Sequence, residues 1–215
     1  MLNRLLISFI LFALTFTAKA QVISKTVFRL SEDNRTVQSI FIRSDESTFL
    51  IENYALVIPD YFEGSLTYYD RFDGADKEGK LKSAGNTTYD YYDRYDGDDI
   101  KGKIKSVGDI SVSYYDRFDG EESMGKVKSI GGINFGYYDR FDGDEKKGKL
   151  KYIDKIQVNY FDRFDGDESA SKVKTIGQVS INYYDRFDPG NFVGKVKSIT
   201  GNSKAVAVMV SKRGL

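Results

Sequence analysis

One phrase, Tyr-Tyr-Asp-Arg-Phe-Asp-Gly, begins at Tyr68 and returns with small changes at Tyr91, Tyr114, Tyr137, Tyr160 and Tyr183. Every step is 23 residues, with no insertion or deletion. A fixed period of this length is the signature of stacked supersecondary units, each too small to bury an apolar face by itself. The period therefore limits the chain to a repeat array and sets its plan. Residues 1–20 read as a leader, 21–67 as an N-terminal β cap, 68–201 as six repeats, and 202–215 as a closing strand. Caps are expected because the outer strands of an array would otherwise recruit other chains.

Each unit holds two strand candidates. In the third, Lys126 to Ile130 is short, and Ile133 to Phe141 is longer and runs into the next phrase. Gly131-Gly132 joins them, with Gly85-Asn86, Gly108-Asp109 and Gly177-Gln178 in the same place elsewhere; two-residue connections of this kind make hairpins. The other connection, such as 142–148, is longer, polar and variable, as an exposed loop should be. Ile110, Val112 and Tyr114 share one face of the longer strand. A bulge near Tyr115-Asp116 is expected to turn the acid out and bring Phe118 back in.

Two all-β architectures fit the period: an antiparallel meander with about two strands per repeat, and a parallel β-helix with one coil per repeat. In a coil, equivalent Asp and Arg residues would stack about 4.8 Å apart as like-charge columns. In a meander, a Lys-x-Lys strand falls between successive Asp-Arg-x-Asp strands, and opposite charges face each other. The charge pattern and the Gly-x connections favour the meander. Before the array, Val22–Leu30, Thr36–Arg43 and Thr48–Ile58 read as strands separated by turn-rich breaks, and Pro59-Asp60 leads into the repeats.

Gly125-Lys126-Val127-Lys128-Ser129-Ile130-Gly131, and Gly148-Lys149-Leu150-Lys151 after Tyr137-Tyr138, resemble the variant MORN repeat: a tyrosine pair, a turn, Gly-Lys-x-x and a later Gly. The resemblance covers roughly residues 68–201. It departs from the pattern by about eight extra residues between the tyrosines and Gly-Lys. It implies a β-hairpin array with an interaction role and no activity.

Composition removes whole classes of function. Cys, His and Trp are absent, which excludes disulfides, thiol nucleophiles, imidazole or thiolate metal sites and histidine triads. Basic and acidic residues balance at 32 each, so no net charge attracts nucleic acid. Arg4, an apolar run from Leu5 to Thr17 and Ala18-Lys19-Ala20 form a cleavable leader, with the cut expected between Ala20 and Gln21. The apolar run is too short to span a bilayer. The expected product is an exported periplasmic or secreted protein with no membrane span.

Three kinds of site deserve weighing. An aromatic row of Tyr69, Tyr92, Tyr115, Tyr138 and Tyr184, flanked by Arg71, Arg94, Arg117, Arg140, Arg163 and Arg186, could bind a protein or an envelope or extracellular polymer. Stacking of such a row on sugar rings makes polysaccharide the alternative partner. Asp73, Asp76, Asp96, Asp98, Asp119, Asp142, Asp144, Asp165 and Asp167 offer oxygen ligands for calcium, although no twelve-residue EF-hand frame is present. The plain alternative for these acids is an Asp–Arg–Lys surface ladder. Catalysis by paired carboxylates is not expected, because every repeat carries the same acids and none is singled out.

Overall fold

A computed structural model of the 215-residue chain describes residues 22–44, 47–58 and 62–210. The leader with its Ala20-Gln21 junction, the Pro59-Asp60 link and the terminal Lys212-Arg213 lie outside the described residues. Among the described residues there are seventeen strands, and no helix long and apolar enough to cross a membrane.

The N-terminal region forms β1 (Ile23–Leu30), β2 (Val37–Ser44), β3 (Thr48–Glu52) and β4 (Ala55–Val57). The third predicted strand is broken by Asn53 and Tyr54, both at positive φ, so it becomes the tight hairpin β3–β4. The array contributes twelve strands, which alternate between four and five residues apart from the first and the last. They are β5 (Leu66–Tyr68), β6 (Leu81–Ala84), β7 (Thr87–Tyr91), β8 (Ile104–Val107), β9 (Ile110–Tyr114) and β10 (Val127–Ile130). They continue as β11 (Ile133–Tyr137), β12 (Leu150–Ile153), β13 (Ile156–Tyr160), β14 (Val173–Ile176), β15 (Val179–Tyr183) and β16 (Val196–Thr200), and β17 (Val206–Met209) ends the series. Strands β5 to β16 pair in chain order as one antiparallel sheet. This is the meander with two strands per repeat; a β-helix would require parallel pairing between coils.

The bulge expected near Tyr115-Asp116 does not form there; the extra residue falls instead on the short strand paired with it. Tyr114 pairs with Val127 and Ser113 with Ser129, so Lys128 is the extra residue, and the same shift recurs in all six repeats. Its consequence is a change of phase. In a regular strand Val127 and Ile130 would face opposite sides; with one residue bulged out, both point inward and are fully buried. Leu150 with Ile153 and Val173 with Ile176 repeat the pattern. Each such side chain contributes about 1.5–3 kcal/mol by leaving water. The longer strand ends at Tyr114, so Phe118 is not brought back inward. It stands on the following loop with 90% of its surface exposed.

The N-terminal strands do not sit at the first end of the array. They form a second sheet, ordered β17-β1-β2-β3-β4, in which the C-terminal strand joins β1 in parallel. This sheet lies on the apolar face of the meander, and its inward residues Phe28, Leu30, Ile40, Ile42, Phe49 and Ile51 share one core with the repeats. Two of its turns are pinned there: the Tyr54 carbonyl accepts from the Val127 N–H, and the Asn34 carbonyl accepts from the Val173 N–H, both at 2.9 Å. Both amides belong to residues at the bulge. The Tyr54 ring meets Tyr137 edge-on, with centroids 5.3 Å apart.

Tyr152, unusual in replacing a small hydroxyl residue, is matched by Gly136 directly across the strands. In four other repeats this cross-strand position holds a hydrogen-bonded polar pair, such as Ser113 with Ser129 at 2.7 Å or Asn159 with Thr175 at 2.9 Å. Here the tyrosine ring covers the glycine, and a Cβ on Gly136 would lie 2.2–2.8 Å from three ring carbons. Gly136→Ser is therefore expected to cost about 1–3 kcal/mol in the native background by overpacking. In a Tyr152→Ser background it should be close to neutral. Urea melts of the four chains in this double-mutant cycle measure the coupling, and additivity would refute it.

Candidate functional site in the repeated loop

The loop after each long strand is built by its own sequence. The Asp70 carboxylate accepts from the Phe72 N–H at 2.7 Å, and Asp73 reaches back to accept from the Asp70 N–H at 3.0 Å. The same two bonds hold at Asp93/Asp96, Asp116/Asp119, Asp139/Asp142, Asp162/Asp165 and Asp185/Asp188. Local side-chain to backbone bonds of this kind are why Asp occupies both places. The Gly that follows takes positive φ, +106° at Gly74, which a side chain would resist. Tyr69 closes the loop, its N–H donating to Lys80 O and its carbonyl accepting from Gly79 N–H, both at 2.9 Å.

Six of the nine acids weighed as calcium ligands are paired with cations. Asp73, Asp96, Asp119, Asp142 and Asp165 each pair with the bulged lysine of the same repeat, Lys82, Lys105, Lys128, Lys151 and Lys174, at 2.9–3.3 Å. Asp76 pairs with Arg94 and Lys101 of the next repeat, and Arg117 with Asp99 likewise. Hydrogen bonds from Arg94 and Lys101 hold the Asp76 carboxyl down at about 2. Asp98, Asp144 and Asp167 are exposed. Among the described residues no group of three or more acids converges on a common point. The ladder is thus an Asp–Lys pairing within repeats and an acid–Arg or acid–Lys pairing between them.

The tyrosine row is structural as well. The hydroxyls of Tyr69, Tyr92, Tyr115 and Tyr138 donate to the carbonyls of Tyr89, Val112, Phe135 and Val158, each on the next long strand, at 2.8–2.9 Å. Each of these rings also carries the bulged lysine ammonium about 5 Å from its centroid, and its edge meets the first tyrosine of the next phrase. Tyr184 is half-buried, with Lys197 beside it. The first tyrosines are deeper. Tyr91, Tyr137, Tyr160 and Tyr183 donate to the bulge carbonyls of Leu81, Val127, Leu150 and Val173 at 2.9–3.1 Å. Lys80, Lys103, Lys126, Lys149 and Lys172 lie over the rings of Tyr91, Tyr114, Tyr137, Tyr160 and Tyr183 and donate to a carbonyl 22 residues on, at Gly102, Gly125, Gly148, Ser171 and Gly194. Among the described residues the second tyrosines of the phrase form no exposed row for a sugar to stack on.

What remains of the phrase is its fifth residue. Phe72, Tyr95, Phe118, Phe141, Phe164 and Phe187 are 83–91% exposed, one per repeat. Beside them the guanidinium groups of Arg71, Arg140, Arg163 and Arg186 lie 4.7–5.3 Å from the neighbouring ring centroid. Arg94 and Arg117 are turned to Asp76 and Asp99 instead. Equivalent loops are two strands apart, so the rings recur about every 9.6 Å along one side of the sheet. Between two of them lies an open cleft of about 440 Å³ lined by Arg140, Phe141, Asp144, Lys146, Arg163 and Phe164. Sequence reasoning missed this row because it sent Phe118 to the core. The available signal was that the two Asp and the Gly of the phrase specify a turn, which leaves the aromatic between the two Asp on an exposed loop.

Comparison with family models, curated proteins and solved structures finds no match for the chain, so the site is read from its own chemistry.

Burial of these groups sets the pH response. Desolvation, with Arg35 nearby, lowers Lys149 to about 8, below its ordinary 10.5, so the unfolded chain holds more protons and stability rises as pH climbs from about 8 to 10.5. Burial raises Tyr91 to about 12 and Tyr137 and Tyr160 well above 10, so beyond pH 10 the folded chain retains protons that the unfolded chain loses, and stability falls. Depressed aspartates such as Asp76 remove stability as pH drops from about 4 towards 2. Thermal midpoints measured across pH should therefore be highest between about 8 and 10. A monotonic fall from neutrality upward would contradict the buried lysine column. The paired acids also predict equal midpoints in calcium and in EDTA, since a tight ion would raise the midpoint by mass action.

Proposed function

We propose that this protein is an exported, non-catalytic scaffold, a MORN-like hairpin array, that grips a repeating protein or polymer of the cell envelope or matrix through its row of exposed rings. The observation that carries this reading is the exposure of six aromatic side chains at one position of a repeated phrase whose tyrosines, aspartates and glycine serve the fold. Rigid aromatic anchors give contact area at low entropic cost, and arginine beside them adds hydrogen-bond donors. Six weak contacts on one rigid strip act together, so avidity exceeds the affinity of any single loop. The same acids recurring in every repeat single out no pair for catalysis. Export rests on the leader read in residues 1–20.

Polysaccharide is the second reading, and one observation favours it. Flat, solvent-facing rings recurring once per repeat, with carboxylates and guanidinium groups beside them, suit a sugar chain that needs stacking and hydroxyl partners. The test is retention on insoluble glycans and on envelope fractions. Replacing Phe72, Tyr95, Phe118, Phe141, Phe164 and Phe187 together by Ala should abolish retention, with thermal stability changed by no more than about 0.5 kcal/mol per site. Retention by envelope protein with none on any glycan would favour the protein partner, and retention unchanged by the six substitutions would refute the ring strip.

A further inference from the structure

The two ends of the meander carry the separated halves of an internal repeat junction. Strand β5 is bonded only to β6, and β16 only to β15, so among the described residues both outer edges are open. The first end has lost whatever covers its side chains. Tyr68 is 56% exposed, although its equivalents Tyr91, Tyr114, Tyr137, Tyr160 and Tyr183 are 3–9% exposed. Leu66 is 40% exposed, where its equivalents from Tyr89 to Ile181 are buried. In the interior the preceding repeat supplies that cover. Its lysine lies over the tyrosine ring, and its bulge carbonyl accepts the tyrosine hydroxyl.

The last end holds the complementary set. Lys195 is the sixth lysine of the buried column, yet it is exposed, with no repeat after it to supply a carbonyl. Val196 occupies the place of the bulge residues whose carbonyls accept tyrosine hydroxyls at four internal junctions. Tyr184 matches the tyrosines whose hydroxyls donate to the next long strand. After Gly201 the chain turns away, Ser203 N–H donating to Val206 O, and β17 joins β1 instead of continuing the array.

We infer that a second copy of this chain docks head to tail, its β5 pairing with β16 as a thirteenth strand. One register brings the lysine and both tyrosines to their internal partners, because the second copy continues the 23-residue phase. Lys195 of the first copy covers the Tyr68 ring and donates to the Gly79 carbonyl of the second. Tyr68 donates to the Val196 carbonyl, and Tyr184 donates to the Leu66 carbonyl. Pairing of exposed strand edges supplies the main-chain bonds. Because the joined surfaces differ, the contact leaves a free head and a free tail and propagates into open-ended chains. Two internal features are not reproduced. Phe192, its ring centroid 5.5 Å from that of Tyr184 and beneath the Lys195 ammonium, must turn aside for the Tyr68 ring of the second copy. Where Asp76 pairs with Arg94, the last repeat has Asn191, so the contact between copies lacks that ion pair and is weaker than a junction within the chain.

The test is sedimentation velocity over a concentration series, on protein purified from the full-length reading frame. The native protein should show a mass that rises with concentration past the dimer. Tyr68→Lys sets two ammonium groups against each other, and Lys195→Ala removes the cap; each should raise the dissociation constant at least about tenfold. Both side chains are exposed, so melting points should not move, and Leu66→Lys serves as an independent block of the same edge. An equimolar mixture of Tyr68→Lys and Lys195→Ala proteins should form a dimer that grows no further, since one intact head then meets one intact tail. A native protein that is monomeric at every concentration overturns the proposal. So does association that the substitutions leave unchanged, or a mixture in which no dimer appears.

Discussion

At each internal junction a lysine ammonium is held between the face of a tyrosine and a backbone carbonyl of the following repeat, 22 residues on. An ammonium so placed is largely withdrawn from water, which is tolerable only because the ring and the carbonyl replace its hydration. The tyrosine supplying the ring is itself tied back to the bulge carbonyl of the preceding repeat. Repeat follows repeat through this joint, and the 23-residue spacing cannot drift without breaking all three contacts. The bulge at the second lysine makes the geometry possible. It sends the first and fourth residues of the short strand into one core while turning the extra lysine out to the Asp of its own loop.

The joint also decides what the rest of the phrase is free to do. Both tyrosines, both aspartates and the glycine are used in holding the strands and the turn, so they recur for reasons of folding. The aromatic residue at the fifth position is kept through six repeats while nearly all of its surface meets solvent. A ring retained at the surface without a packing role is the strongest sign of recognition in this molecule. The N-terminal sheet closes the apolar face of the array: its turns at Asn34 and Tyr54 plant carbonyls on amides at the bulge, and its apolar residues complete the core.

The architecture was legible from local signals. Two-residue Gly-x connections and alternating apolar positions specify hairpins wherever they occur, and a constant period makes each hairpin the neighbour of the next. That reasoning yields the antiparallel meander and sets aside the β-helix. The site was only half legible. Arg71, Arg140, Arg163 and Arg186 stand where a binding strip would use them, beside exposed rings. Tyr69, Tyr92, Tyr115 and Tyr138 do not, because their hydroxyls reach carbonyls twenty residues away, and no local pattern reveals such a partner.

By itself, then, the sequence determined the repeat, its strands, its turns and the residues available to an exposed loop, because those depend on neighbours a few positions apart. Tertiary structure alone decided three things: which aromatic of each phrase meets solvent, that the strands β1 to β4 cover a face of the array while, among the described residues, both its ends stay open, and that the last strand returns to join the first. Each of these depends on pairing between segments far apart in the chain, where one bulged residue reverses the side on which every following side chain lies.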